Sequence, residues 1–424
     1  MYTQTIRIPI KAWYGDEEME LNFPETWEVH ECRMIGHDTP PLSDEQLREA
    51  LRHPLGTEPL REMAQGRKQV VILFDDLTRP APTWKILPYV LEELHEAGIA
   101  DDHIRFVTAF ANHAAMCQED FVKKMGKDVV RRYRIYNHNP YEHLVDLGKT
   151  TRGTPILINR EVMECDLKIG IGGLIPHLTA GFGGGAKLVF PGVAGIASAD
   201  YNHGTIGQLG RDRSTGMKFR LGEIEENDMR QDIEEAVHKV GLDLKIDLLV
   251  NNRREIVVVF AVDFITQHRA GVEKAKQLYA TPIIKACDIV VMNAYPIENQ
   301  VIKAIWPGRL CLKEGGLAVV IVQSVEGQAL HYLVGRFGTD YGGKLWGAPQ
   351  QLLIRQAERL LVCSSYLSQN DLDYYGPSER VVPCTTWGEI MIHLLNTYTQ
   401  QAKVAVYPYA AIQYPGLERS PNLS

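Results

Sequence analysis

The sequence predicts an α/β protein with two lobes, each built on a mainly parallel sheet that is flanked by helices. From Lys68 onward, short runs rich in β-branched residues alternate with amphipathic stretches, which is the pattern of parallel strands joined by crossover helices. After Tyr279 the same alternation starts again, as a second and smaller sheet requires. A chain of 424 residues, 45% of them hydrophobic, can bury more than one core, and we expect the active site in the cleft between the lobes.

The first lobe begins with an apolar run at 69–76, which predicts a buried strand, and continues with a helix at 84–98. This helix has one apolar face and ends at Gly98, a residue type that favours helix ends. Alternation after a turn predicts a β-hairpin within residues 1–30. The remaining elements predicted in this lobe are strands at 103–111, 132–139, 165–173 and 255–264, and helices at 230–240 and 266–279.

The second lobe is predicted from strands at 288–296, 316–324 and 359–367, which a helix at 387–398 follows. A final Val/Tyr alternation at 403–410 predicts a strand that returns to the first sheet. The predicted domains are an N-terminal catalytic and cofactor domain at 1–273, which residues 402–424 rejoin, and a smaller domain at 288–386, with connecting helices at 274–287 and 387–401.

Charge and composition restrict the kinds of partner. The net charge is -8, from 45 basic and 53 acidic residues, so we expect no nucleic acid partner. No stretch has the roughly 18 uninterrupted apolar residues of a membrane helix, and the charged first residues do not resemble a signal peptide. We therefore expect a cytoplasmic protein without a membrane partner. The seven cysteines never form a Cys-x-x-Cys pair, which argues against a cysteine-built zinc or iron–sulfur site.

The segment GFGGGAK at 181–187 is similar to a phosphate-binding loop, whose glycines let backbone amides surround anionic oxygens. Two positions differ from the nucleoside-triphosphate motif, because Ala186 replaces the glycine before the lysine and Leu188 replaces the hydroxyl residue that holds magnesium. A nucleoside-triphosphate enzyme is therefore not favoured. Contact with a phosphate or nucleotide stays open, and so does a plain turn with a solvated lysine.

Two histidines lie near this loop in the sequence, His177 before it and His203 after it. A loop that bends around one ligand could bring both imidazoles and Lys187 to the same cavity, whereas a single helix or strand could not at these spacings. Imidazole binds soft divalent ions and exchanges protons near neutral pH. Each histidine alone is more often structural, but the three residues together favour a ligand site.

Polar residues also follow two of the predicted strands. Asp76, Thr78 and Arg79 come at the end of the first strand, and His113 comes just beyond the next. Ligands of open parallel sheets bind beyond the carboxyl ends of the strands, and arginine binds a carboxylate or phosphate through two hydrogen bonds. The alternative is an Asp–Arg pair that only stabilises the turn before Pro80.

In the second lobe, Gln300 and Lys303 are three residues apart on a predicted helix, so both can reach one ligand. A neutral amide donor beside an ammonium group suits a substrate carboxylate. An exposed helix start with two solvated polar residues is an equally simple interpretation.

Taken together, these residues resemble the lactate racemase family, whose members carry a nickel-pincer nucleotide. The family pattern has Asp-x-x-Arg-Pro at a strand end, a histidine after the next strand, Pro-His before a Gly-Gly-x-Lys loop, then Asn-His and Gln-x-x-Lys. This chain has every member in that order, namely Asp76–Arg79–Pro80, His113, Pro176–His177, Gly184–Gly185–Ala186–Lys187, Asn202–His203 and Gln300–Lys303.

The resemblance implies a cofactor, pyridinium-3-thioamide-5-thiocarboxylic acid mononucleotide with nickel, attached covalently to Lys187 through a thioamide. It further implies that His203 is a nickel ligand and that proteins which synthesise the cofactor are partners. On the cofactor side we place two residues of the first strand end and three glycines of the loop, namely Asp76, Thr78, Gly183, Gly184 and Gly185.

The activity that the resemblance implies is inversion of C2 of a 2-hydroxy acid. His113 or His177 takes the proton of the 2-hydroxyl while hydride moves reversibly to the cofactor, and hydride return to the opposite face inverts the centre. Arg79 and Lys303 would hold the substrate carboxylate, and Gln300 would support it.

One departure from the family pattern concerns the substrate. The segment before Gln300 is a few residues shorter than in lactate-acting members, and Asn299 stands where an aromatic residue is expected. We therefore expect a larger or more polar 2-hydroxy acid, such as a sugar acid, rather than lactate. An NAD- or nucleotide-dependent oxidoreductase and a non-catalytic nucleotide-binding protein remain the alternatives.

Overall fold

The computed structural model describes residues 2–54, 57–208, 220–329, 333, 351–372 and 374–418. The chain forms two compact units. The central unit comprises residues 38–275, and the terminal unit comprises residues 1–37 together with 276–424. None of the helices in the described part of the chain is long and apolar enough to cross a membrane.

Strands and helices follow one another along most of the described residues. The strands are β1 (Tyr2–Ile10), β2 (Glu17–Pro24), β3 (Glu28–Glu31), β4 (Val70–Phe74), β5 (Ile104–Thr108), β6 (Arg134–Asn137), β7 (Leu144–Lys149), β8 (Pro155–Asn159), β9 (Leu167–Gly173), β10 (Pro176–His177), β11 (Gly181–Phe182), β12 (Leu244–Val250), β13 (Ile256–Val262), β14 (Ala280–Ile283), β15 (Cys287–Asn293), β16 (Leu312–Ile321), β17 (Arg359–Cys363), β18 (Val381–Cys384), β19 (Lys403–Tyr407) and β20 (Tyr414–Glu418). The helices are α1 (Asp44–Arg52), α2 (Leu60–Ala64), α3 (Thr83–Glu96), α4 (Gln118–Met125), α5 (Lys127–Arg132), α6 (Arg160–Met163), α7 (Ile196–Asp200), α8 (Asp228–Val240), α9 (Thr266–Tyr279), α10 (Trp306–Cys311), α11 (Gln369–Leu372) and α12 (Trp387–Thr397).

The main sheet of the central unit has the described strand order β13-β12-β9-β4-β5-β6. Every pairing in it is parallel except that of β12 with β13. All five residues of β4 are buried, as expected for a central parallel strand that is covered on both faces. The predicted α/β class is therefore confirmed, and the predicted strand at 69–76 becomes the middle of this sheet.

The glycine-rich segment after β9 is buried, whereas its composition predicts a place on the surface or against a ligand. Its apolar residues, among them Ala186, Phe190 and Val193, pack with Ile233 and Val237 of α8 in one core cluster. The glycine-rich segment is therefore anchored within a core.

The sheet of the terminal unit has the described order β18-β17-β16-β15-β19-β3, and all its pairings are parallel. The hairpin β1–β2 forms as predicted. Its alternating apolar face packs against this sheet, because Ile8 and Phe23 share a core cluster with Val291 and Val319.

The predicted return of 402–424 to the first sheet is wrong. Strand β19 instead pairs with β15 on one side and β3 on the other, both within the terminal unit. Residues 1–37, which the sequence analysis assigns to the N-terminal domain, also belong to the terminal unit. The alternation within β19 predicts a buried strand but carries no information about which sheet has an edge to accept it. The residues after 418 lie outside the described part.

Candidate active site

The carboxyl ends of β4 and β5 bring Asp76 and His113 together, as adjacent parallel strands should. His113 Nδ1 lies 2.8 Å from Asp76 Oδ2. The other carboxylate oxygen accepts the backbone N–H of Thr78 at 3.0 Å and also the Thr78 hydroxyl. Burial would raise the pKa of Asp76, but His113, Arg79 and the Thr78 hydroxyl outweigh it and lower the pKa to about 2.

The charged Asp76 determines which nitrogen of His113 can act as a base. A carboxylate accepts hydrogen bonds only, so Nδ1 of His113 carries the proton that it donates to Asp76. The lone pair of the neutral ring is then on Nε2. His113 is therefore held in the tautomer that accepts a proton at Nε2.

Arg79 lies in the same site. Its Nη1 donates to the carbonyl oxygen of Thr78 at 2.9 Å and to the hydroxyl of Thr78 at 2.8 Å. Its positive charge contributes to lowering the pKa of Asp76 and also that of Lys187.

Lys187 and His203 form a second close pair. The Nζ of Lys187 lies 3.0 Å from Nε2 of His203, and Lys187 is only 9% exposed. Burial lowers the pKa of Lys187 well below its ordinary value, and the positive charges of Arg230 and Arg79 lower it further. This environment favours the uncharged amine, which is the form that can bond covalently to a ligand.

His203 occupies a π-helical turn, Tyr201–Thr205, which continues α7. The preceding residue, Asn202, donates from Nδ2 to Asp232 Oδ2 at 2.7 Å. Asp232 on α8 is fully buried and also accepts the hydroxyls of Thr150 at 2.5 Å and Thr154 at 2.6 Å. Turns of this kind are frequent at functional sites, and here buried hydrogen bonds hold the turn that carries His203.

His177 lies on the short β10–β11 ladder that leads into the loop. Its Nδ1 accepts the backbone N–H groups of Thr179 at 3.3 Å and Ala180 at 3.2 Å. The proton of the neutral ring is therefore on Nε2, the opposite of His113. At Nε2 the two imidazoles differ, since one accepts a proton and the other donates a hydrogen bond.

The glycines of the loop are required by close packing. Gly184 and Gly185 have φ values of +69° and +55°. A Cβ at Gly184 would lie 2.6 Å from Asp247 Oδ1, and a Cβ at Gly185 would lie 2.7 Å from the ring of His268. The Gly185 N–H donates to Asp247 Oδ2 at 3.0 Å, and His268 Nε2 donates to the Gly183 carbonyl at 2.8 Å. Since Asp247 already accepts the Gly185 amide, this N–H is directed at protein and not at a phosphate.

Three residues that support the loop were missed by the sequence analysis, namely Arg230, Asp247 and His268. Arg230 is fully buried and donates to the carbonyl oxygens of Phe182 and Gly184. Burial lowers the pKa of Arg230 to about 10, while Glu234 and Asp247 oppose this effect. None of the three stands in a motif, so the sequence offers no local signal for them.

Gln300 and Lys303 belong to the terminal unit. The predicted helix is a single 3₁₀ turn, Val301–Ala304, with Gln300 just before it, because only a few residues separate this turn from α10. The turn is held by Gln328, whose Oε1 accepts the Val301 N–H at 2.9 Å and whose Nε2 donates to the Glu298 carbonyl at 2.8 Å. Lys303 is 7% exposed.

Asn299 is also buried, and its Nδ2 donates to Glu326 Oε1 at 2.6 Å. Its Oδ1 has no hydrogen-bond partner among the described residues. A buried amide oxygen without a partner is costly.

In the part of the chain that the structure describes, no group of three or more His, Cys, Asp or Glu side chains is arranged to hold a metal ion. The residues present fit a bound organic group, because the amine of Lys187 lies beside His203 and the positive charges of Arg230 and Arg79 lower the pKa of Lys187. This combination suits an anionic, metal-binding nucleotide that is tethered through the amine.

The parallel sheet, the Asp–His pair at its strand ends and the buried Lys–His pair define an α/β protein with two pairs of interacting titratable side chains. A family model described as the lactate racemase N-terminal domain matches residues 14–215. The chain belongs to the lactate racemase family.

Two curated relatives are lactate racemases. The one from Lactiplantibacillus plantarum is 30% identical over 290 residues, which are 67% of this chain and 66% of the relative. The one from Thermoanaerobacterium thermosaccharolyticum is 27% identical over 294 residues, 68% of this chain and 67% of the relative. The matched segments thus span about two thirds of the length of these relatives.

Solved structures share the fold over more of the chain. The lactate racemase apoprotein from T. thermosaccharolyticum superimposes with a TM-score of 0.74 at 21% identity, covering 97% of this chain and 99% of that one. A crystal structure of a protein from Thermotoga maritima gives a TM-score of 0.67 at 16% identity, covering 89% of this chain and 99% of the other.

Proposed function

We propose that this protein is a racemase or epimerase that inverts C2 of a 2-hydroxy acid with the help of a nickel-pincer nucleotide attached to Lys187. The observation that carries the proposal is the buried pair of Lys187 Nζ and His203 Nε2, 3.0 Å apart. The family membership supports the same reaction class, because the curated relatives are lactate racemases.

The cofactor would be held by Lys187 through its amine and by His203 as a metal ligand, with Arg79 and Arg230 offsetting the negative charge of the nucleotide. When bound, this cofactor supplies a ring that accepts and returns a hydride. Asp76 and Thr78, which we place on the cofactor side, also interact with His113 and Arg79, so we propose that they position those two groups as well.

The proton steps fall to the two histidines. His113, whose Nε2 has the lone pair, is arranged to take the proton of the 2-hydroxyl, and Asp76 stabilises the imidazolium that results. With its proton on Nε2, His177 would donate a hydrogen bond to the substrate oxygen. The imidazolium of His113 would return the proton it took when the hydroxyl is re-formed, so neither imidazole has to become an anion.

Arg79 would bind the substrate carboxylate by charge-assisted hydrogen bonds, and we propose that Lys303 and Gln300 contribute to the same task. For the substrate, we propose a 2-hydroxy acid that is larger or more polar than lactate. Support for this comes from Asn299, a buried amide beside Gln300 with an acceptor oxygen that a substrate hydroxyl could satisfy. We further propose that the protein acts in the cytoplasm and receives its cofactor from synthesis proteins.

The test is co-expression with the proteins that synthesise the cofactor, followed by mass analysis of the Lys187 peptide and nickel quantification. A panel of optically pure 2-hydroxy acids, from lactate to sugar acids, is then screened for loss of optical purity. We expect an adduct on Lys187, nickel in the protein, and inversion of a polar 2-hydroxy acid. Activity with unmodified Lys187, or stoichiometric NAD reduction without racemisation, would contradict the proposal.

A single substitution tests the metal assignment. His203→Ala should lose nickel while the fold persists, because one loop imidazole contributes little to either core. The matched control is His238→Ala, on the exposed side of α8, which should retain nickel. Stoichiometric nickel in His203→Ala would remove His203 from the ligand set.

A further inference from the structure

A buried lysine lies behind the strand-end site. Lys124 on α4 is fully buried, and its Nζ forms an ion pair with Asp75 Oδ1. The same Nζ donates to the backbone carbonyl of Arg79 at 3.1 Å. One ammonium group therefore binds two points on the turn that follows β4.

Asp75 connects this ion pair to the next strand of the sheet. Its second oxygen accepts the backbone N–H of Gly173 at 2.7 Å. Gly172 lies so close that a Cβ there would be 2.8 Å from Asp75 Oδ2, so a glycine is needed for this approach. The carboxylate thus joins the ends of β4 and β9.

The turn that Lys124 and Asp75 hold also carries Asp76 and Arg79, two residues of the proposed active site. Asp75 directs its carboxylate to Lys124 and Gly173, whereas Asp76 directs its own to His113 and Thr78. Arg79 donates its guanidinium to Thr78 and accepts Lys124 at its carbonyl oxygen. A shift of the turn would therefore displace the backbone of Arg79 and, with it, the guanidinium that binds the carboxylate.

We propose that Lys124 is a positioning residue, which holds the turn from Asp75 to Arg79 so that Arg79 can bind the substrate carboxylate. It acts from behind the site, through the Arg79 backbone and Asp75. This inference rests on the function proposed above.

Stability alone does not explain this ion pair. A buried charge is expensive, and replacing a buried pair by uncharged residues of similar size is often neutral or stabilising. Removing one partner is different, because it leaves the other charge buried and unpaired. Loss of the pair and loss of positioning can therefore be separated by comparing a single with a double substitution.

The experiment uses the cofactor-loaded protein and the 2-hydroxy acid that the parent racemises fastest in the screen. Lys124→Met should raise KM about tenfold to a hundredfold, the range for a lost charge-assisted hydrogen bond, and change kcat less. The Lys187 adduct and the nickel content should stay at parental levels. The matched control is Lys123→Met, the neighbouring lysine on α4, which pairs with Asp120 near the surface and should keep the parental KM.

The double variant Asp75→Asn/Lys124→Met separates positioning from stability. It should unfold near the parental temperature, since no unpaired buried charge remains, and still show the raised KM. A parental KM in this variant would overturn the proposal, because Lys124 would then have a structural role only. A parental KM in Lys124→Met would also overturn the proposal. If the double variant does not fold, the ion pair is needed for stability, and the proposal is likewise overturned. If the parent itself racemises nothing, the proposed function fails instead.

Discussion

Each unit has a buried carboxylate that follows a strand of its sheet, and the pKa values of these two carboxylates are shifted in opposite directions. Asp76 follows β4 of the central unit and is 5% exposed, while Glu298 follows β15 of the terminal unit and is 3% exposed. The pKa of Asp76 is lowered to about 2, whereas burial raises the pKa of Glu298 to about 7. Burial alone therefore does not decide the charge of a carboxylate in this protein.

The neighbours of each group explain the difference. Asp76 has an imidazole and a guanidinium as partners, so its charged form is stabilised. Glu298 accepts backbone N–H groups, from Lys11 at 3.0 Å and Ala12 at 2.7 Å among others, which lower its pKa without offsetting burial, and the negative charge of Asp16 raises the pKa further. The first carboxylate is suited to directing a catalytic imidazole, and the second joins the β1–β2 turn to the segment before Gln300.

The largest effect is expected from removing the charge of Asp76. Asp76→Asn takes away the group that holds the His113 tautomer, so kcat should fall about a hundredfold to ten-thousandfold, the range for lost general base catalysis. The matched control is Asp101→Asn. Asp101 lies at the surface, its Oδ1 is 2.8 Å from Nε2 of His95, and its pKa is also lowered to about 2. A comparable loss of kcat in both variants would show that the Asp76–His113 pair has no special role.

The next effect concerns Glu298 and the dependence of stability on pH. Because its folded pKa is raised, Glu298 contributes stability that is complete below about pH 4.5 and is lost as pH rises through about 7. At about 1.4 kcal/mol per pKa unit, the free energy of unfolding should fall by up to about 3 kcal/mol between pH 4.5 and pH 8. Glu298→Gln should abolish this fall in urea titrations, and Glu20→Gln, exposed on β2, should not. A fall of the same size in Glu298→Gln would contradict the assignment.

The smallest effect is the acid dependence that Asp76 contributes. Its folded pKa is depressed from 3.8 to about 2, so its stabilisation is present above about pH 4 and is lost as pH falls through 2. The shift corresponds to roughly 2 kcal/mol. Acid unfolding of Asp76→Asn should be shallower than that of the parent in this window. Identical acid profiles would mean that the folded protein does not stabilise the charged form of Asp76.

The members of the site differed in how far the sequence could predict them. Asp76, Arg79, His113 and Lys187 could be named because each stands at a strand end or in a glycine-rich motif, and the structure pairs Asp76 with His113 and Lys187 with His203. A further set could not be named, since its members are single polar residues on helices, namely Lys124, Asp232 and Arg230. Only their contacts with residues far away in the sequence distinguish them from ordinary surface residues.

By itself, the sequence determined the α/β class, the order of strands and helices, and the positions at which chemistry was to be expected. These features follow from periodicity and residue type, which depend only on residues that are close together in the sequence. Tertiary structure alone decided that β19 lies between β15 and β3, that the glycine-rich loop is buried, and that His113 and His177 have opposite tautomers. Strand pairing, burial and protonation depend on contacts between residues that are far apart in the sequence. The local sequence pattern does not show which of these residues come into contact.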